Sequence, residues 1–137
     1  MPDLITTLEH EHKSIMTLLE KARGLGPNSP EGRKILGEAT RLLMQHMKRD
    51  DEEVFPVLER AADSNGAVKE ALRWFVVHRT ISAEAVSAVC ERLQSPASEF
   101  EYAKDFGSLM AIVTNRLQRE ESILYPVFRQ VAGGSKG

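Results

Sequence analysis

The chain has 137 residues, of which 42% are hydrophobic and 28% are charged, and its formal net charge is -2. This length can bury a hydrophobic core without disulfide bonds, and the composition is that of one globular domain. Charges of both signs are spread along the chain, which argues against nucleic acid or an anionic membrane as a partner.

Three clusters of helix-breaking residues divide the chain into four helical segments. The clusters are GLGPNSP at residues 24–30, DSNG at 63–66 and SPAS at 95–98. We therefore predict helices over residues 3–23, 31–62, 67–94 and 99–132. Long helices joined by short connections favour an antiparallel up-down-up-down arrangement. The predicted fold is an all-α four-helix bundle that forms one domain over residues 1–137.

Each predicted helix carries a stripe of side chains spaced three and four residues apart, which is typical of a face turned toward the bundle centre. The first stripe consists of Ile5, Leu8, His12, Ile15, Leu19 and Ala22. The second consists of Ile35, Ala39, Leu42, His46, Asp50, Glu53 and Val57. The third consists of Ala71, Phe75, His78, Ser82, Ala85 and Val89. The fourth consists of Tyr102, Phe106, Leu109, Val113, Arg116, Glu120, Ile123 and Val127.

A faint internal repeat relates the two halves of the chain. HMKRDDEEVFP at residues 46–56 aligns without a gap with RLQREESILYP at 116–126, which pairs Asp50 with Glu120. HKSI at residues 12–15 likewise resembles HRTI at 78–81. A duplicated helical hairpin forms a bundle with approximate two-fold symmetry. A site on that axis would receive matching ligands from both halves.

Seven polar side chains occupy stripe positions where apolar residues are expected: His12, His46, Asp50, Glu53, His78, Arg116 and Glu120. An unpaired buried charge is strongly destabilising, so a core keeps such groups when they pair with one another or bind a cation. A rise of about 1.5 Å per residue from each loop places them at about one level of the bundle. Imidazole and carboxylate groups at one level suit iron, manganese or zinc.

These residues carry a family resemblance. The chain resembles the hemerythrin-like, or HHE cation-binding, family over nearly its whole length. The matching segments are EHKSI at residues 11–15, His46 and Asp50 ahead of EEVFP, His78 in HRTI, and REESILYP at 119–126. The resemblance implies a non-haem di-iron centre inside a four-helix bundle. It implies as metal ligands His12, His46, Asp50, His78 and Glu120.

The chain departs from this family pattern at two positions. Arg116 stands where the fourth helix of the family has a histidine, and Asp50 stands where glutamate is commoner. Arginine stays protonated and has no lone pair, so Arg116 cannot be a ligand and adds positive charge beside the metal. The alternative interpretation is a buried ion-pair network of Arg116, Asp50 and Glu120 that replaces the metal.

Two further side chains lie close to these positions. Glu53 is seven residues after His46 and is a candidate to replace a missing ligand, although a solvated glutamate is the simpler interpretation. His10 is two residues before His12, which turns it about 200° round the helix toward the surface.

The expected function is non-haem iron binding by a protein that handles a small ligand such as dioxygen, nitric oxide or peroxide. Sensing, storage and detoxification are the roles that such a site serves. No Ser-His-Asp, Cys-His or phosphate-loop pattern is present, so hydrolysis by a side-chain nucleophile is not supported. Two alternatives remain open: an enzyme with mono-iron or di-iron redox activity, and a metal-free scaffold that binds a protein partner. Another divalent metal in place of iron also remains open.

Cellular location and oligomeric state are expectations from the sequence. The N-terminus lacks a basic stretch followed by an apolar run, and no stretch of about 18 apolar residues occurs, so neither secretion nor membrane insertion is expected. Cys90 is the one cysteine, which excludes an internal disulfide bond and restricts a metal site to nitrogen and oxygen ligands. We expect a cytoplasmic monomer or weak homodimer.

Overall fold

Four long helical rods run through the computed structural model, which describes residues 3–26, 28–94 and 98–134. The first rod is α1 (Leu4–Leu25). The second consists of α2 (Pro30–Arg49), a π-helical segment (Asp50–Val54) and α3 (Phe55–Ala62). The third consists of α4 (Gly66–Ala71) and α5 (Arg73–Leu93). The fourth consists of α6 (Glu99–Arg119), a second π-helical segment (Glu120–Leu124) and α7 (Tyr125–Gly134).

The rods pack as neighbours in a bundle. Helix α1 packs against α2, α5 packs against α6, and α3 contacts α7. The predicted all-α four-helix bundle is confirmed. Residues 95–97 of the predicted breaker at 95–98 lie outside the described residues. None of the described helices has the length and apolar composition that a bilayer crossing requires.

Side-chain caps set the start of each rod. The oxygens of Asp3, Ser29, Asn65 and Ser98 each accept a hydrogen bond from a backbone N–H two or three residues further on. Such a cap satisfies a donor that has no partner within the helix and contributes about 1 kcal/mol. The four helices therefore begin where the sequence supplies a short polar side chain after each loop.

Two apolar clusters fill the bundle, and a polar layer separates them along each of three rods. In α1, His12 lies between Leu8 of one cluster and Ile15 of the other. His46 and Asp50 lie between the clusters in the second rod, and Arg116 and Glu120 do so in the fourth. Among the described residues, the buried polar and charged side chains are His12, His46, Asp50, Arg116 and Glu120.

The predicted stripe is confirmed in α1, where all six of its residues are buried. In the second rod it is wrong beyond Asp50, because Val54 and Leu58 are buried in place of Glu53 and Val57. The cause is the π-helical segment, which adds one residue to a turn.

The fourth rod shows the same shift beyond Glu120, where Leu124 is buried and Ile123 is not. The backbone N–H of Tyr125 bonds to the carbonyl of Glu120, and that of Phe55 bonds to the carbonyl of Asp50. Each bond spans five residues. Pro56 and Pro126 then lie in the first turn of the next helix, where a missing N–H is tolerated.

The loop between α1 and α2 depends on a close backbone approach at Gly32. A Cβ atom at this position would collide with the carbonyl of Gly26, which ends α1 with a φ of 90°. Gly32→Ala is therefore expected to lower the free energy of unfolding by about 1–3 kcal/mol. The matched control is Gly37→Ala in the same helix, where a Cβ would meet no atom within 4 Å. The control is expected to raise stability by about 0.5–1 kcal/mol, and urea unfolding followed by circular dichroism measures both. Equal effects of the two substitutions would contradict the close approach.

Candidate metal centre

Three donor atoms from three rods converge in the polar layer. Nε2 of His12 lies 3.0 Å from Nε2 of His46, and Oε1 of Glu120 lies 2.8 and 2.9 Å from these two nitrogens. Each of the three residues is at most 3% exposed. Within the part of the chain that the structure describes, these residues form the one group of three or more potential metal ligands at such close range. Two imidazoles and a carboxylate are a donor set used for non-haem iron.

A hydrogen bond on the outer side of the His46 ring determines that the inner nitrogen, Nε2, carries a lone pair toward the centre. Nδ1 of His46 lies 2.8 Å from Oε1 of Glu11, so Nδ1–H donates to this carboxylate and Nε2 points inward. Nδ1 of His12 lies 3.1 Å from Oε1 of Glu121 but is not aligned for a hydrogen bond. Two imidazole lone pairs facing each other at 3.0 Å repel unless a proton or a metal ion lies between them.

Electrostatics favour a proton at this position when no metal is bound. Burial lowers the pKa of His46, but hydrogen bonds and charges from Glu120 and Glu11 outweigh burial and raise it. The pKa of Glu120 lies well below its usual range, because hydrogen bonds from His12 and His46 outweigh its burial. The centre therefore holds a negative carboxylate that already attracts positive charge.

The Asp50 carboxyl lies at the edge of the cluster, near His46 and Arg116. Its Oδ2 is 3.4 Å from Nε2 of His46, and neither of its oxygens makes a hydrogen bond. Burial and the negative charge of Glu120 raise the pKa of Asp50 well above its usual range. A buried carboxyl with no hydrogen bond to either oxygen, beside the imidazole of His46, fits a bound cation, which would supply the missing partner.

Arg116 occupies the other side of Glu120. Its Nε donates to Oε2 of Glu120 at 3.1 Å, and its Nη1 lies 3.3 Å from the carbonyl of Arg79 and 3.2 Å from Oγ of Ser82. Its Nη2 is 3.9 Å from Oδ2 of Asp50. The two oxygens of Glu120 thus have different partners: Oε1 faces the histidines and Oε2 faces the guanidinium.

Tyr125 belongs to the same cluster, although its side chain was not among the sequence-based candidates. Its hydroxyl donates to Oε1 of Glu120 at 2.9 Å and lies 3.0 Å from Nε2 of His12 and 3.3 Å from Nε2 of His46. Burial and the charge of Glu120 raise the pKa of this phenol well above its usual range. The signal was present in REESILYP, but a regular helical stripe leads to Ile123 and Val127.

The remaining candidates lie away from this cluster. His78 is half-buried, its Nδ1 lies 2.9 Å from the carbonyl of Trp74, and its ring stacks on that indole at 4.4 Å. The structure does not bring His78 into the group of converging donors, and its assignment as a ligand stays a prediction. Glu53 has a side chain that is 52% exposed and pairs with Arg49 at 3.6 Å. His10 is exposed, as expected from its position two residues before His12.

Comparison with known proteins places these residues in a family. The model of the hemerythrin HHE cation-binding domain matches residues 3–128, which is nearly the whole chain. No curated protein and no solved structure matches the chain.

Substitution of the histidines tests whether the converging donors bind metal. His46→Ala is expected to weaken iron binding at least about tenfold, because it removes one of the three donors. His10→Ala is the matched control and leaves iron binding unchanged, since His10 is exposed. Elemental analysis of iron-loaded protein gives the metal content of each variant. In the described geometry His78→Ala also keeps its iron, and a loss as large as that of His46→Ala would instead establish His78 as a ligand. Equal losses from His10→Ala and His46→Ala would contradict the site.

Proposed function

The chain belongs to the hemerythrin HHE cation-binding domain family, and we propose that it binds a single non-haem iron ion in its core. The proposal rests on one observation, the convergence of Nε2 of His12, Nε2 of His46 and Oε1 of Glu120 within 3.0 Å of one another. Two histidines and one carboxylate hold iron in many oxygen-activating proteins and leave coordination positions open. When bound, iron would supply the redox chemistry and the open positions for a small ligand.

The chain's own residues favour one ion over two. Arg116 aligns with His46 in the internal repeat, and its guanidinium bonds to Oε2 of Glu120, the oxygen turned away from the histidines. A guanidinium cannot bind a metal and repels one. Because Arg116 also lies 3.9 Å from Asp50, a fixed positive charge stands between the two carboxylates that the family uses to bridge two irons. We infer that Arg116 replaces the second ion.

The burial of the site supports a small ligand. Two apolar clusters flank the polar layer, and the donor residues are at most 3% exposed, so large substrates have no direct access. A surface cleft of about 340 Å³ between the second, third and fourth rods reaches Arg116. Dioxygen, nitric oxide and peroxide are small enough for such a route. We propose that the protein handles a ligand of this kind for sensing, storage or detoxification.

Binding and catalysis differ in a measurable way within this proposal. A binding protein holds the small ligand and releases it unchanged, whereas a mono-iron enzyme turns over peroxide or nitric oxide. The sequence contains no Ser-His-Asp or Cys-His pattern, so we attribute any turnover to the iron. We propose binding as the main role.

We propose a cytoplasmic monomer or weak homodimer. Helix α5 exposes Val77 and Ile81, which lie four residues apart on one face and suit a weak homodimer, although a monomer also fits. Cys90 is a free thiol, which suits a reducing cytoplasm.

A metal-free scaffold is the second candidate, and the contacts of Arg116 favour it. The guanidinium already has partners in Glu120, Ser82 and the carbonyl of Arg79, so the polar layer is partly satisfied without a metal. A bundle of this kind would present its surface to a protein partner. Metal content distinguishes this candidate from the first.

Elemental analysis with an optical spectrum tests the number of ions. Protein from iron-supplied cells is expected to hold about one iron per chain. Arg116→His is expected to raise the content toward about two, because it removes the fixed positive charge and adds an imidazole four residues before Glu120. An oxo-bridged pair would then add an absorption band in the near ultraviolet. Two irons per chain in the wild type, with no increase in Arg116→His, would show that Arg116 does not replace an ion.

Unfolding of chelator-treated protein tests the metal-free network. If Arg116 and Glu120 support each other without metal, Glu120→Gln is expected to lower the free energy of unfolding by about 3–5 kcal/mol, because it leaves a buried guanidinium without its anion. Glu53→Gln is the control, since its exposed pair with Arg49 contributes less than about 1 kcal/mol. A loss under about 0.5 kcal/mol for Glu120→Gln would exclude the network.

A further inference from the structure

Four donor atoms in the core form a closed tetrahedron, and the fourth is the hydroxyl oxygen of Tyr125. The edges among His12, His46 and Glu120 measure 2.8, 2.9 and 3.0 Å. The edges from the hydroxyl to the same three atoms measure 2.9, 3.0 and 3.3 Å. All six distances are therefore nearly equal. We propose, on the basis of the metal site proposed above, that Tyr125 is a fourth protein ligand and binds the metal through its phenolic oxygen.

The size of the tetrahedron suits a metal ion. In a regular tetrahedron with edges of this length the centre lies about 1.8 Å from each corner, whereas metal bonds to imidazole nitrogen and carboxylate oxygen measure about 2.0–2.2 Å. An outward movement of a few tenths of an ångström by each atom accommodates the ion. No side chain needs to rotate into the site.

Hydrogen bonds alone do not account for six short contacts among four atoms. The phenol contributes one hydrogen, and each inner imidazole nitrogen contributes at most one, so at most three of the six contacts can be hydrogen bonds. Glu120 is the only anion among the four groups. The other contacts bring lone pairs together, and a central cation turns that repulsion into attraction.

The second π-helical segment delivers the Tyr125 side chain to this point. Residues five apart do not share a face of an α-helix, so a phenol at position 125 of a regular helix would point away from Glu120. The bond from the N–H of Tyr125 to the carbonyl of Glu120 widens the turn and brings both side chains to the same centre.

The internal repeat separates the packing role of this position from the role of its hydroxyl. Phe55 takes the same place in the first half of the chain, directly after a π-helical segment and before a proline, and it is buried. A phenyl ring therefore satisfies the packing that this place requires. The hydroxyl of Tyr125 is the added group, and it is the atom that completes the tetrahedron.

The chemistry of the proposed ligand is that of a phenolate. On binding, the oxygen–hydrogen bond of Tyr125 breaks, the oxygen keeps the electron pair and donates it to the metal, and the proton leaves to solvent. A hard anionic oxygen stabilises ferric iron relative to ferrous iron. The oxidation state does not change in this step, so no external oxidant or reductant is needed.

The experiment uses full-length protein loaded with ferric iron. A phenolate bound to ferric iron gives a charge-transfer band in the visible region, which histidine and carboxylate ligands do not give. The wild type is expected to show this band, and Tyr125→Phe is expected to lose it while retaining measurable iron on the other three donors. Tyr102→Phe is the matched control: Tyr102 is the chain's other tyrosine and is buried near the start of α6, almost four turns before Arg116. This variant keeps the band.

Two measurements keep the outcomes distinct. Circular dichroism verifies that Tyr125→Phe is folded, and resonance Raman excitation within the band of the wild type detects tyrosinate vibrations without any substitution. Bound iron with no visible band, or a band that survives in Tyr125→Phe, would overturn the fourth ligand and leave the proposed iron site intact. Absence of bound iron in the wild type would overturn the iron site and the ligand together.

Discussion

The full burial of the Glu120 carboxylate is the constraint on which the rest of the polar layer depends. Its pKa is held well below the usual range, so the core contains a permanent negative charge that must be balanced. The two oxygens have different partners. Oε2 accepts a hydrogen bond from Arg116, and Oε1 faces His12, His46 and the hydroxyl of Tyr125. The carboxylate thus has the guanidinium of Arg116 on one side and a group of donors that could hold a metal ion on the other.

The two π-helical segments convert this charge arrangement into a specific geometry. Both begin at a buried carboxyl residue, Asp50 or Glu120, and both precede a proline that cannot continue the hydrogen-bond ladder. The extra residue in each turn lets the apolar stripe resume one position later, which keeps Val54 and Leu124 buried below the polar layer. Each polar residue thus lies in the core without exposing the apolar residues that follow it. A regular helix through the same sequence would bury Glu53 and place Tyr125 elsewhere.

Much of the polar layer could be predicted from spacing alone. His12, His46, Asp50, Arg116 and Glu120 are buried at one level, because a helical period of three and four residues holds as far as the two carboxyl residues. Beyond them the period changes, so the stripe assigned Glu53 to the core and missed Tyr125. Helix α5 follows its predicted stripe less closely: His78 is half-buried against Trp74, since nothing in apolar spacing specifies a ring stacked on its own helix. The contacts of Arg116 with Arg79 and Ser82 of α5 depend on how two helices pack together, so the stripe of a single helix does not specify them.

The two halves of the repeat divide the charges of the site unequally. The aligned pairs are His46 with Arg116, Asp50 with Glu120, and Phe55 with Tyr125. The second half contains the permanent ions, Arg116 and Glu120, and these neutralise each other at 3.1 Å.

The first half contributes the imidazole of His46, whose pKa is raised by Glu120 and Glu11, and the Asp50 carboxyl, whose pKa is raised well above its usual range by burial. The phenol of Tyr125 is held neutral in the same way. Burial disfavours the charged forms of Asp50 and Tyr125, which limits the uncompensated charge that these two acids add to the core. The same acids can release their protons when a cation arrives, and their negative charges then match the charge that enters. The repeat thus places the ion pair of Arg116 and Glu120 beside two acids, Asp50 and Tyr125, whose anionic forms a bound cation would favour.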